Sequence, residues 1–306
     1  MNTDKWLNKN MQSLSGKTII VSGANSGIGY LAAHNLAKLG ANIIMACRNT
    51  EKAAAAKDNL IKAFPSAKVE IFALDLSDSK SIKDFVIAVT SAFAKVDGLV
   101  NNAGVYYPSA AETSDGLNMT IGTNFVGTYL LTTRLLNANA FNDDATIDIV
   151  TSLTDKNHKP DLTDPFGTKQ KIGRNRAYGL SKLYLSAYTY WLACKMQTDG
   201  RNIKVISSHP GVTKTNILSP SKTGFTKTFA KAGENFLKLF THPASTACLT
   251  TVYAFSPATQ NGDRIAPRGL FEISGRPQKA KYPKRAKKIA DALMQQTICQ
   301  TQQYLQ

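Results

Sequence analysis

The chain has 306 residues, 43% of them hydrophobic and 19% charged, enough to bury a sizeable core as one large α/β domain or two small ones. Its formal net charge is +16, and the whole excess lies in residues 151–306, where 24 basic side chains face 8 acidic ones, against 13 of each in residues 1–150. Four cysteines without C-x-x-C spacing point to neither zinc nor disulfides, no apolar run reaches the ~18 residues of a membrane-crossing helix, and the first ten residues lack the apolar core of a secretion signal, so a cytoplasmic chain without a transmembrane segment is expected.

Thr18 to Val21 is a short apolar run that reads as a buried strand. It breaks into Gly23-Ala24-Asn25-Ser26-Gly27-Ile28-Gly29, and a helical pattern follows, with Leu31, Leu36 and Leu39 on one side and Gly40 as its stop. Strand, glycine turn and helix start together make a phosphate cradle. Glycine admits a pyrophosphate close to the backbone, and the helix start offers unpaired N–H groups and positive dipole charge. The spacing is G-x-x-x-G-x-G, not the G-x-G-x-x-G of the common dinucleotide fingerprint, and alone it could be an ordinary turn.

The next strand, Asn42 to Ala46, ends in Cys47-Arg48-Asn49. Dinucleotide folds place an acid here for a ribose 2′-hydroxyl, or an arginine for a 2′-phosphate. Residues 45 to 50 contain no acid, and Arg48 is present, so NADP(H) is preferred over NAD(H); the alternative is a solvated surface arginine. The strand from Val69 ends at Asp75-Leu76, where an adenine amino group could be met. The strand from Gly98 runs into Asn101-Asn102-Ala103-Gly104, small residues that suit a backbone lying against a flat ring.

Further along, the apolar strand Thr146 to Thr151 leads to Ser152 and a polar stretch, 154–176, that reads as a surface loop. A helical segment then carries Tyr178 and Lys182, four residues apart and so on one face. A fixed cation beside a phenol favours the phenolate, and a phenol tuned toward neutrality can exchange a proton with a substrate oxygen. His209 precedes Pro210-Gly211 and is either near substrate or a structural hydrogen-bonding histidine. Between Lys214 and Phe240, the apolar side chains of Phe225, Phe229, Phe236, Leu237 and Phe240 mix with lysines. They suit either a roof over an apolar substrate or plain helix packing. The basic tail from Arg276 runs into Ile289, Leu293 and Met294, an amphipathic helix for docking on the domain.

Three explanations fit the charge excess: a solvated lysine-rich surface, attraction of an anionic substrate or of NADPH, or contact with nucleic acid or anionic membrane. No nucleic-acid reading motif accompanies it, so no nucleic-acid partner is expected.

Gly23 to Gly29, Asp75-Leu76, Asn101 to Gly104, Asn124, Ser152, Tyr178 with Lys182, and His209-Pro-Gly-Val-Thr-Lys-Thr215 stand in the order and intervals of the short-chain dehydrogenase/reductase family. The chain resembles that family from Gly16 to Lys279, and is most similar to the branch of retinol dehydrogenases, WW-domain oxidoreductases and protochlorophyllide reductases. The resemblance implies one Rossmann-type domain over 16–306 with a 1–15 extension: a doubly wound parallel α/β sheet, strand order 3-2-1-4-5-6-7, helices on both faces. A substrate lid is implied at 214–240, and a basic tail and helix at 276–305.

It also implies roles. Tyr178 is the general acid or base, and Lys182 lowers its pKa and bonds the nicotinamide ribose. Ser152 bonds the substrate oxygen, and Asn124 holds a water. Gly23, Asn25, Ser26, Gly27, Ile28, Gly29, Arg48, Asn49, Asp75, Leu76, Asn102, Ala103, Gly104, Pro210, Gly211, Thr213 and Thr215 line the cofactor. Ser152 and Tyr178 lie farther apart in sequence than in many members, which leaves Thr151 and Thr154 as alternatives to the serine. The implied activity is NADP(H)-dependent hydride transfer to or from a small-molecule carbonyl or alcohol, apolar if the lid reading holds. The alternatives are a sensor or scaffold that binds NADP(H) without turnover, and an enone C=C reductase. A homodimer is one assembly that relatives adopt.

Overall fold

A computed structural model describes residues 3–108, 111–156, 158–212 and 243–305. Thr213, Thr215 and the expected lid at 214–240 lie outside the described residues.

Five strands form the left and centre of one sheet: β1 (Thr18–Ser22), β2 (Asn42–Cys47), β3 (Val69–Ala73), β4 (Val96–Asn101) and β5 (Phe141–Val150). They are joined by β6 (Lys204–Ser208), β7 (Arg264–Pro267) and β8 (Pro277–Ala280) in the order 3-2-1-4-5-6-7-8. All pairs are parallel except β7 with β8. Ile19, Ile20 and Val21 of β1 and Ile43, Ile44 and Met45 of β2 are almost wholly buried, as strands covered on both faces require. The expected seven-strand order is found, with an eighth strand added. Pro-Gln-Lys-Ala carries no alternating apolar signal, so it read as tail; pairing with β7 covers an edge that would otherwise be open.

One face packs against α1 (Thr3–Asn10), α2 (Gly27–Lys38), α3 (Thr50–Ala63), α8 (Ala244–Ala247) and α9 (Leu249–Tyr253). The other packs against α4 (Ser79–Ala92), α5 (Met119–Ile121), α6 (Gly127–Asn137), α7 (Arg174–Thr198) and α10 (Lys284–Leu305). The stretch ahead of Gly16 is docked: Trp6 and Leu7 are buried, and Trp6 meets Tyr253 edge-on at 5.6 Å. Burying two such side chains contributes about 2 kcal/mol each. The amphipathic helix expected in the tail is α10, with Ile289, Leu293 and Met294 in the core. No helix among the described residues is long and apolar enough to cross a membrane.

The carboxyl ends of β1, β4, β5 and β6 run directly into the glycine turn, Asn102–Gly104, Thr151–Ser152 and His209–Gly211. In an open parallel sheet that edge is where ligands bind.

Candidate active site

Helix α7 carries Tyr178 and Lys182 one turn apart, pointing back at the end of β5. The Ser152 side chain lies near enough to act on the Tyr178 phenol and lower its pKa, so the long loop between them does not separate the pair. The Lys182 ammonium lies 5.8 Å from the centre of the Tyr178 ring and donates to the Val150 carbonyl at 3.0 Å. Burial pushes Lys182 down to about 8, with Asp155 opposing. The Tyr178 phenol is raised above its ordinary value: burial lifts it, and Ser152 pulls down less than burial pushes up. The expectation that Lys182 depresses this phenol is therefore corrected: burial sets the direction of its shift. Desolvation acts on the whole side chain, whereas the cation is turned toward Val150.

Of the two alternatives to Ser152, Thr151 is buried and its hydroxyl is bound to the Ser208 carbonyl at 3.1 Å. The Thr154 hydroxyl is buried without a partner among the described residues.

Asn124 sits in a π-helical turn, Gly122–Val126, between α5 and α6. Such turns recur at functional sites because the extra residue re-aims side chains. Its amide accepts from the Val105 N–H at 2.7 Å and donates to the Val105 carbonyl and the Ser181 hydroxyl, both at 3.0 Å. Ser181 in turn donates to the Tyr178 carbonyl at 2.7 Å. A side chain on Gly104 would press on the Asn124 amide oxygen, with the Lys182 ammonium just beyond.

The glycine turn is built as a cradle. Gly23 has φ +68°, a region that favours glycine, and a side chain on Gly29 would collide with the Gly23 carbonyl and the Asn102 amide. Ser26 and Gly27 are exposed, and the Ser26 side chain does not cap α2, so the first N–H groups of that helix are open to a ligand. Ser22 locks this turn to the next: its hydroxyl accepts the N–H groups of Asn102 and Ala103 at 2.9 Å each and donates to the Val100 carbonyl at 3.2 Å.

At the ends of β2 and β3, Arg48 reaches Asp75 at 3.7 Å, and the arginine is 68% exposed. The other Asp75 oxygen accepts from the Ser77 N–H and hydroxyl. The Asn49 side chain caps α3 by accepting the Lys52 N–H at 2.7 Å. Leu76 is buried, its carbonyl pressed against Gly127.

A family model described as short chain dehydrogenase matches residues 17–224. The chain belongs to the short-chain dehydrogenase family. Retinol dehydrogenase 13 of Mus musculus is 34% identical over 272 residues, covering 87% of this chain and 79% of that one. The chloroplastic short-chain dehydrogenase TIC 32 B of Brassica napus is 31% identical over 244 residues, 77% of this chain and 76% of that one. The crystal structure of an uncharacterized protein from Mycobacterium paratuberculosis superposes with a TM-score of 0.77 at 29% identity, over 96% of both chains.

Short-chain dehydrogenases use NAD(H) or NADP(H), and the cradle of this one fits such a group, because Gly27, at φ +56°, faces open space and the start of α2 is uncapped. Three residues of this short-chain dehydrogenase escaped sequence reasoning. Ser22 was legible only as the residue before the first glycine. Tyr106 meets the Tyr178 ring edge-on at 5.4 Å. Glu272, remote in sequence, contacts His209, Lys156 and Arg264. His209 itself is fully buried, bonded to Glu272 at 3.0 Å and to the Gly211 N–H at 3.0 Å. It is the structural histidine of the two readings.

Proposed function

We propose that this chain is an NADP(H)-dependent oxidoreductase that interconverts a carbonyl and an alcohol, with Tyr178 as general acid and base. The observation that carries this reading is the placing of Tyr178 beside the buried Lys182 ammonium at the end of β5, with the Ser152 side chain acting on the same phenol. Two hydroxyls converging on one point suit a single substrate oxygen. Ser152 donates to it as negative charge develops, and Tyr178 delivers the proton that completes the alcohol; oxidation reverses the transfer.

Gly23, Asn25, Ser26, Gly27, Ile28 and Gly29 would hold the pyrophosphate. Arg48 would take the 2′-phosphate, Asp75 and Leu76 the adenine side, and Asn102 to Gly104 with Pro210, Gly211, Thr213 and Thr215 the nicotinamide half. When bound, the cofactor supplies or accepts a hydride, and the protein supplies position and a matched proton. Lys182 keeps a positive charge near the phenol, and Asn124 acts by positioning, through Ser181 and Val105.

Tyr178→Phe removes the phenol hydroxyl, and with it the exchangeable proton, while keeping the ring. Cofactor affinity, read by fluorescence titration, should stay within about twofold, while turnover of aldehydes and ketones at 340 nm falls at least ~100-fold. Turnover that survives this change would refute the acid assignment. Tight cofactor binding with no carbonyl turned over by the unaltered protein would favour a sensor.

A further inference from the structure

Arg174 is the first residue of α7, four ahead of Tyr178 and eight ahead of Lys182, so the three stand in one row along the helix. Its guanidinium carbon lies 4.6 Å from the centre of the Tyr106 ring. That ring in turn meets Tyr178 edge-on, with centroids 5.4 Å apart and planes at 88°. The Tyr106 hydroxyl is hydrogen-bonded to the Asn175 side chain, which fastens the ring to α7. Guanidinium, aromatic ring and phenol thus form one continuous wall.

Stacking holds a planar guanidinium in place through its face and leaves its N–H fork free. No acidic side chain pairs with Arg174 among the described residues. Arg176, two residues on, is placed differently, with its charge acting on Asp161 and His158 inside the preceding loop. Arg174 is therefore a preorganised, exposed cation one helical turn from the phenol, in the half of the chain that carries the entire charge excess.

We propose that Arg174 is a specificity-determining residue of the substrate site. It recognises an oxyanion group, carboxylate or phosphate, carried by the carbonyl or alcohol substrate about one helical turn, roughly 5 Å, from the reacting carbon. The inference rests on the oxidoreductase reading and names the substrate class of that same site. A planar fork bound to a carboxylate or phosphate gives both charge and orientation, which would hold the carbonyl carbon against Tyr178.

The test uses the full chain with NADP(H) and three aldehydes of one shape: 4-formylbenzoate, 4-formylphenyl phosphate and the neutral methyl 4-formylbenzoate. Each is assayed at 340 nm and also titrated calorimetrically. At least one oxyanion should bind and turn over at least about tenfold better than the ester, and the stronger of the two identifies its source chemistry. Arg174→Gln should remove that advantage through KM and leave the ester within about twofold; Arg174→Lys should restore part of it. Raising salt should erode the preference in the unaltered protein. Equal affinity for ester and acids, or an Arg174→Gln loss shared by all three, would overturn the assignment. Absence of turnover with Arg174-dependent binding would support it and count against the catalytic reading instead.

Discussion

Tyr178 and Lys182 are neighbours on one helix face, yet their proximity alone does not make the phenol acidic. Burial raises Tyr178 and lowers Lys182, because removing either from water disfavours its charged form. With Lys182 near 8, the ammonium is mostly charged at neutral pH and loses that charge under mildly alkaline conditions. At the ends of β2 and β3, the proposed cofactor preference rests on Arg48. It is exposed and only loosely paired with Asp75 at 3.7 Å, so a 2′-phosphate could take it over. Arg48→Ala should weaken NADPH about tenfold or more while leaving NADH within about twofold, measured by fluorescence titration of both. Equal losses would refute the cofactor preference.

The hairpin from β7 to β8 shows what an element contributes that no single residue does. Its tip puts two consecutive non-glycine residues in the left-handed region, Phe271 at φ +52° and Glu272 at φ +62°. Such conformations cost about 1 kcal/mol or more each and persist only where surroundings hold them. Here the Glu272 carboxylate takes both ends of the buried Arg264 guanidinium, at 3.2 and 3.0 Å, plus Lys156 at 2.8 Å and His209 at 3.0 Å. One side chain thereby ties the turn after Ser152 to the loop at Pro210–Gly211. Burial pushes the Glu272 carboxyl up, but hydrogen bonds from His209, Arg264 and Lys156 outweigh it and hold the group well below the usual carboxylate range. A depressed pKa means stability that is present above the unfolded value of 4.5 and lost as pH falls below it. Glu272→Gln should therefore cost about 2 kcal/mol at pH 7 by urea denaturation, with the gap to the unaltered protein closing in acid. A gap independent of pH would show that the charge is not what matters.

At the scale of the whole molecule, a consequential buried titratable group lies in the centre of the sheet. Asp148 on β5 is fully buried, accepts the Ser208 hydroxyl at 2.9 Å, and has its other oxygen unpaired among the described residues. Burial raises its pKa well above the ordinary value, with Ser208 and Thr251 opposing only in part. The sign is opposite to that of Glu272. A raised pKa leaves the fold unpenalised below the unfolded value of 3.8, and stability drops as pH climbs toward the folded value. Asp148→Asn should stabilise the protein at pH 7 and flatten its pH profile above 4, read as ΔG of urea unfolding at several pH values. Destabilisation of the same size at pH 4 and pH 7 would show that the carboxylic acid is a needed donor.

Much of this molecule was legible before folding. The G-x-x-x-G-x-G spacing, the apolar runs of β1 and β2 and the Tyr178–Lys182 offset are local properties. Local spacing suffices where one element sets the geometry: a turn, a buried strand, one helix face. Hence the cradle could be read and the helix carrying the phenol was placed correctly, whereas the sheet order followed from the family resemblance and not from spacing. What the chain order could not reveal are contacts between elements far apart in sequence: Ser22 locking Asn102, the Glu272 clasp across β7, the Tyr106 wall on α7, and β8 pairing by backbone hydrogen bonds with no side-chain signature. The protonation of the site belongs to that second group too. Sequence supplied the titratable groups and their spacing, but burial, which only the packed structure fixes, decides in which direction each one shifts.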